Sequence, residues 1–193
     1  MRATENTRTS PARRVRWMLL AAGLGMVPAM AGGAAAQCAS MARDGTFESQ
    51  TRARVSSPWM QEGNAVIERG LGNARAGENN ALLRNTTGWN AVRQRVQLTA
   101  GRLYTLRAFV RTTGNVRDGY FGFRDAAQRP VREIKFGPMN GYRELRVAFR
   151  PAASGTYNVF GGFWAPGQDA WVRLDDVRLD GPCEDTAQNP VDG

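Results

Sequence analysis

The sequence of 193 residues contains no histidine, only two cysteines and a single lysine, Lys135. Without histidine, the chain cannot build a Ser-His-Asp or Cys-His nucleophilic site, nor a zinc site with imidazole ligands. After residue 36, no stretch of the sequence repeats its apolar residues at a helical period. These absences exclude the common histidine-dependent hydrolases and argue against a helical fold.

The start of the chain has the three parts of a secretory signal. Its first sixteen residues carry five arginines and one glutamate, whereas the stretch from Trp17 to Ala36 carries no charge and ends in three alanines. A basic start, a short apolar segment and an Ala-x-Ala end predict a signal peptide over residues 1–36, cleaved near Ala36. The alternative is a membrane anchor, but glycines and Pro28 interrupt an apolar part that would need about 20 residues to span.

Two other export routes fit the sequence less well. Arg13-Arg14 suggests twin-arginine export, but Arg16 occupies a position where that signal has an apolar residue. Cys38 suggests a lipoprotein, but Gln37 precedes it where a small residue is required. We therefore expect a secreted protein, periplasmic or extracellular, with no membrane span after cleavage.

Export changes the interpretation of the charge and of the cysteines. The predicted signal contributes four units of the net charge of +9 and leaves +5 for the rest of the chain. No concentrated basic run accompanies that charge, so we predict no nucleic-acid partner. An oxidising compartment favours a disulfide between Cys38 and Cys183, which bracket the domain; the alternative is two unpaired thiols in the chain ends.

Short segments of alternating apolar and polar residues recur after the signal, separated by Gly, Pro, Asn and Asp. This pattern predicts an all-β fold, a two-sheet antiparallel β-sandwich of the jelly-roll type. One domain is expected over residues 37–183, followed by a loose polar tail over 184–193. Strands are predicted at 92–98, 103–111, 120–124, 131–136, 144–150, 156–163 and 171–179, with shorter ones near 46–48, 65–68 and 80–84.

Three segments carry a resemblance to a known family: Asp44-Gly45-Thr46-Phe47-Glu48, Tyr104-Thr105-Leu106-Arg107 after Ala100-Gly101, and Asp169 to Leu179, which includes Leu174-Asp175-Asp176-Val177. With Trp59 and Gln94-Arg95-Val96 between them, their order and spacing resemble the family-four type of carbohydrate-binding module and its xylan-binding relatives. The resemblance covers residues 44–180. It implies a galactose-binding-domain-like jelly roll, a structural calcium ion and a glycan groove on one sheet.

The resemblance implies that the calcium ion (Ca²⁺) is held by Thr46, Glu48, Gly77 and Asp175. Independently, the apolar alternation slips by one residue at Asp175-Asp176, which predicts a β-bulge. A set of oxygen ligands that joins both chain ends suits calcium. The alternative is that both aspartates accept hydrogen bonds from backbone N–H groups at a kink.

Sugar recognition combines aromatic faces with planar polar side chains. The resemblance assigns a ligand-contacting amide to Gln94, although its parity with Val92 and Val96 also fits a buried role. Several aromatic and arginine side chains, Arg93 and Arg111 among them, are expected outward on one sheet, whereas Trp59 and Trp171 are expected in the core. The carbohydrate-binding residues predicted are Trp89, Gln94, Arg95, Arg107, Phe109, Tyr120, Arg124 and Trp164.

One position departs from the glucan-binding pattern. Pro130-Val131 stands where that pattern has an aromatic platform, which weakens the expectation of stacking on cellulose or β-glucan. The arginines favour an acidic glycan instead, because a guanidinium pairs a carboxylate with two hydrogen bonds. The alternative for most of these arginines is a solvated surface.

The sequence therefore predicts a secreted, monomeric, non-catalytic module that binds a polysaccharide. One alternative is a structural or protein-interaction module of the envelope that has lost sugar binding. A weaker alternative is a small polysaccharide lyase that uses Tyr120 with Arg124 or Lys135.

Overall fold

The structure is a computed structural model, and it describes residues 39–182. Ten antiparallel strands form two five-stranded sheets in this part of the chain, which confirms the predicted all-β sandwich. Sheet I has the order β1-β4-β9-β6-β7, and sheet II has the order β2-β3-β10-β5-β8. Within the described residues, no helix is long and apolar enough to cross a membrane. The strands are β1 (Met60–Glu62), β2 (Ala65–Arg69), β3 (Asn79–Asn85), β4 (Trp89–Leu98), β5 (Tyr104–Thr112), β6 (Asp118–Arg124), β7 (Pro130–Phe136), β8 (Arg143–Phe149), β9 (Gly155–Trp164) and β10 (Ala170–Asp180).

Two predictions about strands are wrong. Residues 46–48 form a turn, because Phe47 has a φ of 60° and donates its backbone N–H to Asp44 O over 3.2 Å. Strand β1 was not predicted, because three residues are too few to show an alternation. This short strand supplies Glu62, which proves central to the candidate site.

The hydrophobic core lies between the inner faces of the two sheets, and the alternation decides which side chains enter it. In β5, Leu106, Ala108 and Val110 are fully buried, whereas the residues between them point outward. Phe121 and Phe163 of sheet I are buried against this face. Burial of this aromatic and aliphatic surface is the main stabilising contribution to the fold.

Strand β10 contains the predicted β-bulge. Its pairing with β5 shifts register between Asp175 and Arg178, and Asp176 has a φ of 50°. A regular strand would turn Val177 away from the core after Leu174. The bulge instead returns Val177 to the core and keeps both parts of the strand paired with β5.

The two described ends of the chain lie side by side. Met41 donates its backbone N–H to Leu179 O over 2.8 Å, and the N–H of Leu179 donates to Ser40 Oγ over 3.0 Å. Cys38 and Cys183 lie outside the described residues, so the disulfide stays a prediction. The signal segment 1–36 and the tail 184–193 also lie outside the described residues.

Two neighbouring glycines of β9 allow close approach on opposite faces of sheet I. A Cβ atom on Gly161 would lie 2.6 Å from Leu174 Cδ2 in the core. A Cβ atom on Gly162 would lie 2.5 Å from Trp89 Cζ2 on the outer face. Because real Cβ atoms do not come this close to other atoms, glycine at 162 lets the indole of Trp89 pack directly against β9.

Candidate functional site

The outer face of sheet I carries a groove that strands β4, β6, β7 and β9 build together with the loop between β6 and β7. The groove has a volume of about 410 Å³, which lies within the usual range for small-molecule sites. We call it the aromatic groove, and its lining residues are Trp89, Tyr120, Arg124, Gln128, Pro130, Glu133 and Trp164.

Trp89 is the centre of an aromatic cluster in this groove. Its ring centroid lies 5.7 Å from that of Trp164, its cross-strand partner in β9, and 6.3 Å from that of Tyr120. The ring of Phe160 lies beneath, at 6.1 Å. Trp164 is 54% exposed, which leaves its indole face open to a ligand. An open indole beside a second indole is a surface on which an apolar ring face can stack.

Glu62 fixes the positions of three side chains around the groove. Trp89 Nε1 donates to Glu62 Oε2 over 2.7 Å, and Arg124 Nη1 donates to the same oxygen over 2.9 Å. The Nε atom of Arg93 lies 2.7 Å from Glu62 Oε1, close enough for an ion pair although its N–H does not point at the oxygen. The guanidinium of Arg124 also stacks over Phe160, 4.1 Å from the ring centroid. One carboxylate thus holds an indole and two guanidinium groups in place before any ligand arrives.

The surroundings of Glu62 favour its charged form. Burial alone would raise the pKa of this carboxyl, but the hydrogen bond from Trp89 and the charges of Arg124 and Arg93 outweigh it. The pKa of Glu62 is therefore lowered from 4.5. The carboxylate stays ionised at neutral pH and compensates the charge of both arginines.

Several polar atoms of the groove have no partner among residues 39–182. Gln128 Oε1 and Arg124 Nε are buried without a hydrogen bond, and the carboxylate of Glu133 forms neither a hydrogen bond nor an ion pair. Gln128 has a φ of 65° and is held in the turn by its N–H bond to Asp125 O. Leaving a buried acceptor unpaired costs stability. Of these groups, the carboxylate of Glu133 is partly exposed and can accept from the hydroxyl groups of a ligand.

The structure brings together four of the predicted binding residues. Trp89, Tyr120, Arg124 and Trp164 all line the aromatic groove. Arg95 is exposed on the outer face of the same sheet but does not line the groove.

Arg107 and Phe109 lie on the other sheet, so the expectation that they share a face with Tyr120 is wrong. Both belong to β5 of sheet II, and their side chains point away from sheet I. The alternation of a strand shows which residues point outward, but it does not show which of two sheets the strand joins. The ring of Phe109 is covered by the guanidinium of Arg75, 3.7 Å from its centroid.

Gln94 faces the core rather than the groove. The side chain is 1% exposed; its Oε1 accepts the N–H of Arg43 over 2.8 Å, and its Nε2 donates to Arg43 O over 2.7 Å. The amide therefore ties the segment before β1 to β4, which agrees with the buried alternative that its parity allowed.

The two remaining tryptophans of the described chain differ in their environments. Trp59 is buried in the core, as expected, and its Nε1 donates to Asp44 O over 2.8 Å. The expectation that Trp171 is in the core is wrong, since it lies half-buried on the outer face of sheet II. There the guanidinium of Arg173 lies 4.2 Å from the ring.

Three of the four predicted calcium ligands, Glu48, Gly77 and Asp175, meet at the loop before β3. Glu48 Oε1 accepts the N–H groups of Glu78 and Asn79, both over 2.9 Å, and contacts Gly77. Asp175 Oδ2 accepts the N–H groups of Arg75 and Ala76, at 2.7 and 3.3 Å. Thr46 lies beside the bulge of β10, because the carbonyl of its neighbour Gly45 accepts the N–H of Val177 over 2.8 Å.

The carboxylate of Asp175 is fully buried, and no described arginine or lysine forms an ion pair with it. Burial raises its pKa to about 6, although the N–H groups of Asp176, Ala76 and Arg75 donate to it and lower the value. No three Asp, Glu, His or Cys side chains cluster within residues 39–182, so a cation there would also need carbonyl oxygens. Calcium accepts such mixed oxygen ligands, so the residues fit it in kind. In this structure, three backbone N–H groups donate to Asp175 and two donate to Glu48, which is the arrangement that the alternative for the aspartates describes.

Sequence reasoning missed Glu62, Gln128 and Glu133. Glu62 lies in a three-residue strand, and Gln128 lies in a turn, so neither shows a periodic pattern. Glu133 alternates outward on β7, but its position opposite Gly122 follows only from the register. These residues meet through long-range pairing, which no local motif records.

Comparison with known proteins supports the fold. No family model matches this sequence. No match to a curated protein was found. Among solved structures, TmCBM61 in complex with β-1,4-galactotriose matches with a TM-score of 0.60 and 16% identity, over 75% of this chain and all of that one.

Two further structures share the architecture. Arabinose-bound MgGH51 α-L-arabinofuranosidase matches with a TM-score of 0.60 and 14% identity, over 76% of this chain but only 27% of that one. A family-four carbohydrate-binding module, CBM4, matches with a TM-score of 0.51 and 16% identity, over 65% of this chain and 95% of that one. The chain thus has the jelly-roll fold of carbohydrate-binding modules, which confirms what the sequence resemblance implied about its architecture.

Proposed function

We propose that the protein is an exported, non-catalytic module that binds a polysaccharide in the aromatic groove. One observation carries this proposal: a stacking surface and unpaired polar atoms lie on the same face. Trp89 and exposed Trp164 offer aromatic faces, and the partly exposed carboxylate of Glu133 offers an acceptor without a partner among the described residues. A pyranose presents C–H faces to the first and hydroxyl groups to the second. The shared fold with carbohydrate-binding modules agrees with this proposal.

The groove suits a neutral glycan better than an acidic one. Arg93 and Arg124 are both bound to Glu62, so neither presents a free guanidinium fork to a uronate carboxylate. The carboxylate of Glu133 would repel such a ligand. The expectation of an acidic glycan rested on arginines that the fold divides between two sheets, and the geometry of the groove does not support it.

The geometry gives little support to the lyase alternative. Tyr120 and Lys135 are cross-strand partners, so they do share the outer face. However, Lys135 Nζ lies 2.5 Å from Asp118 Oδ1, and this hydrogen bond raises the pKa of Lys135. A lysine that stays protonated cannot serve as the base that abstracts a proton. Arg124 is in turn committed to Glu62.

A glycan array tests the proposal, with the protein compared with Trp164→Ala and a control, Trp171→Ala. We expect neutral oligosaccharides to bind, and the Trp164 variant to bind at least about tenfold more weakly, because it loses the open indole. The control should bind normally, since Trp171 lies on sheet II. Absence of binding to every neutral and acidic glycan would contradict the proposal and favour the protein-interaction alternative.

We also propose a structural calcium ion beside the bulge of β10. Glu48 and Asp175 would supply carboxylate oxygens, with Thr46 and Gly77 contributing to the same site. The ion would supply positive charge to the buried carboxylate of Asp175, which otherwise lacks a cationic partner among the described residues. It would also cross-link the segment before β1, the loop before β3 and the last strand.

Calcium is therefore expected to raise the melting temperature of chelator-treated protein. At a calcium concentration about 100-fold above the Kd, the free energy of unfolding rises by about 2.7 kcal/mol. This increase corresponds to a Tm that is higher by roughly 5–10 °C. Differential scanning calorimetry measures it, with Asp175→Asn expected to abolish the response and Asp176→Asn expected to retain it. Equal melting temperatures with and without calcium would contradict the site.

A further inference from the structure

Three arginines from neighbouring strands lie side by side on the outer face of sheet II. Arg178 of β10 pairs in register with Arg107 of β5, and Arg107 pairs with Arg146 of β8. Cross-strand partners point to the same face, and strands are about 4.8 Å apart, so the three side chains start within roughly 10 Å of each other. We call this set the arginine row.

The two outer members of the row have no counter-charge. Arg146 and Arg178 are exposed, and neither forms a hydrogen bond or an ion pair with any residue in the range 39–182. The central Arg107 is held by Asp180, whose Oδ2 lies 2.6 Å from Nη2, and more weakly by Glu144 at 3.8 Å. Its Nε is buried without a partner. The row therefore combines a fixed centre with two free guanidinium groups.

Stability alone does not explain this arrangement. Like charges directly opposite each other on neighbouring strands destabilise a sheet. On the same sheet, Arg84 is matched with Asp169 and Arg173 with Glu68. Arg69, Arg111 and Arg143 form no ion pair within residues 39–182, but none of them is aligned with two other arginines on neighbouring strands. The two unpaired arginines that flank Arg107 on this exposed face are accounted for if an anionic ligand supplies the missing charge.

The chemistry of the face selects the kind of anion. The nearby aromatic rings are not free to stack on bases, because Arg75 covers Phe109 and Arg173 covers Trp171. Without a free stacking platform, the unpaired groups of the row are the guanidinium forks of Arg146 and Arg178, and such forks pair with carboxylates through two hydrogen bonds. A row about 10 Å long is matched by a polymer that carries a carboxylate on successive sugars.

We infer that the arginine row is a second binding site, specific for a carboxylate-bearing polysaccharide, on the face opposite the aromatic groove. This inference goes beyond the proposed function and does not depend on it, since the two sites lie on different sheets. Together they would let one domain contact a neutral chain on sheet I and an acidic chain on sheet II.

The test is the affinity of the protein for polygalacturonate, measured by biolayer interferometry at low and at physiological salt. We expect the protein to bind polygalacturonate, with an affinity that falls as the salt concentration rises. The double variant Arg146→Gln/Arg178→Gln should bind roughly tenfold more weakly than the unmodified protein. A matched control, Arg52→Gln/Arg132→Gln, removes two exposed arginines outside the row and is expected to change affinity by no more than about twofold. The melting temperature of the row variant should not fall, because the variant relieves like-charge repulsion.

Three results would overturn the inference. The first is no binding of polygalacturonate by the unmodified protein at low salt, and the second is an equal loss of affinity in the row variant and the control. The third is tighter binding of duplex DNA or of phosphatidylglycerol vesicles than of polygalacturonate, lost in the same row variant. Binding of a neutral glycan to the row variant would show that the aromatic groove is unaffected. Failure of the arginine row can therefore be distinguished from failure of the proposed function.

Discussion

Trp89→Ala is expected to weaken binding of a neutral oligosaccharide by about thirtyfold or more, the largest binding effect of any single substitution in the groove. The indole contacts Trp164 and Tyr120, lies against Gly162, and donates its Nε1 hydrogen to Glu62. Alanine would remove the stacking surface and leave Glu62 and its two arginines without their aromatic neighbour. Isothermal titration calorimetry with a neutral oligosaccharide measures the change.

Trp89→Phe separates the two roles of this side chain. Phenylalanine keeps an aromatic face but cannot donate to Glu62, so its affinity should lie between those of the unmodified protein and the alanine variant. If the phenylalanine variant binds as weakly as the alanine variant, positioning through Glu62 outweighs stacking. If Trp89→Ala binds normally, the groove is not the binding site.

Glu68→Ala is expected to lower the free energy of unfolding by about 3 kcal/mol, the largest effect on stability proposed for a single charge. Arg173 donates to both carboxylate oxygens of Glu68, over 2.6 and 3.0 Å, and Asn80 and Asn73 donate at 3.0 and 3.1 Å. The side chains of the pair are only 10% and 13% exposed. Removing the carboxylate would leave the charge of Arg173 largely buried and uncompensated. Urea denaturation at neutral pH measures the change.

Asp169→Ala is the matched control, because its partner Arg84 lies in β3 of the same sheet. Arg84 donates to both oxygens of Asp169, at 2.9 and 2.6 Å, but both side chains are more than half exposed. Solvent screens such a pair, so this variant should unfold at nearly the same urea concentration as the unmodified protein. If the two substitutions lowered the free energy of unfolding equally, burial would not be the reason that the Glu68–Arg173 pair stabilises the protein.

The contribution of Glu68 should also depend on pH. Burial raises the pKa of this carboxyl, but the hydrogen bonds from Arg173 and Asn80 outweigh it and lower the pKa from 4.5. A carboxyl whose pKa is lowered by folding stabilises the protein above its unfolded pKa, and this stabilisation is lost as the pH falls through the folded value. The difference in stability between the unmodified protein and Glu68→Ala should therefore shrink below pH 4.5.

The sequence predicted most strands but not their distribution between the sheets. In β5, Leu106, Ala108 and Val110 alternate with Arg107 and Phe109 as clearly as Phe121 and Phe123 mark the inner face of β6. From this alternation alone, the outward residues of β5 and β6 are predicted to share one binding surface. Only the order of strands in each sheet shows that β5 and β6 present their outward residues on opposite sides of the domain.

The candidate site was predictable where a residue carries its own signal. Trp89, Tyr120 and Trp164 are aromatic residues outside the core pattern, and they do meet in one groove. The slip at Asp175 marked the bulge, because the apolar phase changes there. Glu62 had no such signal, since its role arises from the pairing of β1 with β4 and from contacts with residues far along the chain.

The most direct test of the account is an NMR titration that follows the indole N–H signals. The sequence contains five tryptophans, of which Trp17 lies in the predicted signal, so four signals are expected from protein prepared without residues 1–36. Neutral trisaccharides with β-1,4 linkages, of galactose, glucose and xylose, serve as probes. Binding in the aromatic groove should shift the signals of Trp89 and Trp164, whereas those of Trp59 in the core and Trp171 on sheet II should stay in place. A trisaccharide that shifts Trp171 but neither groove tryptophan, or no response to any probe, would contradict a neutral-glycan site in the aromatic groove.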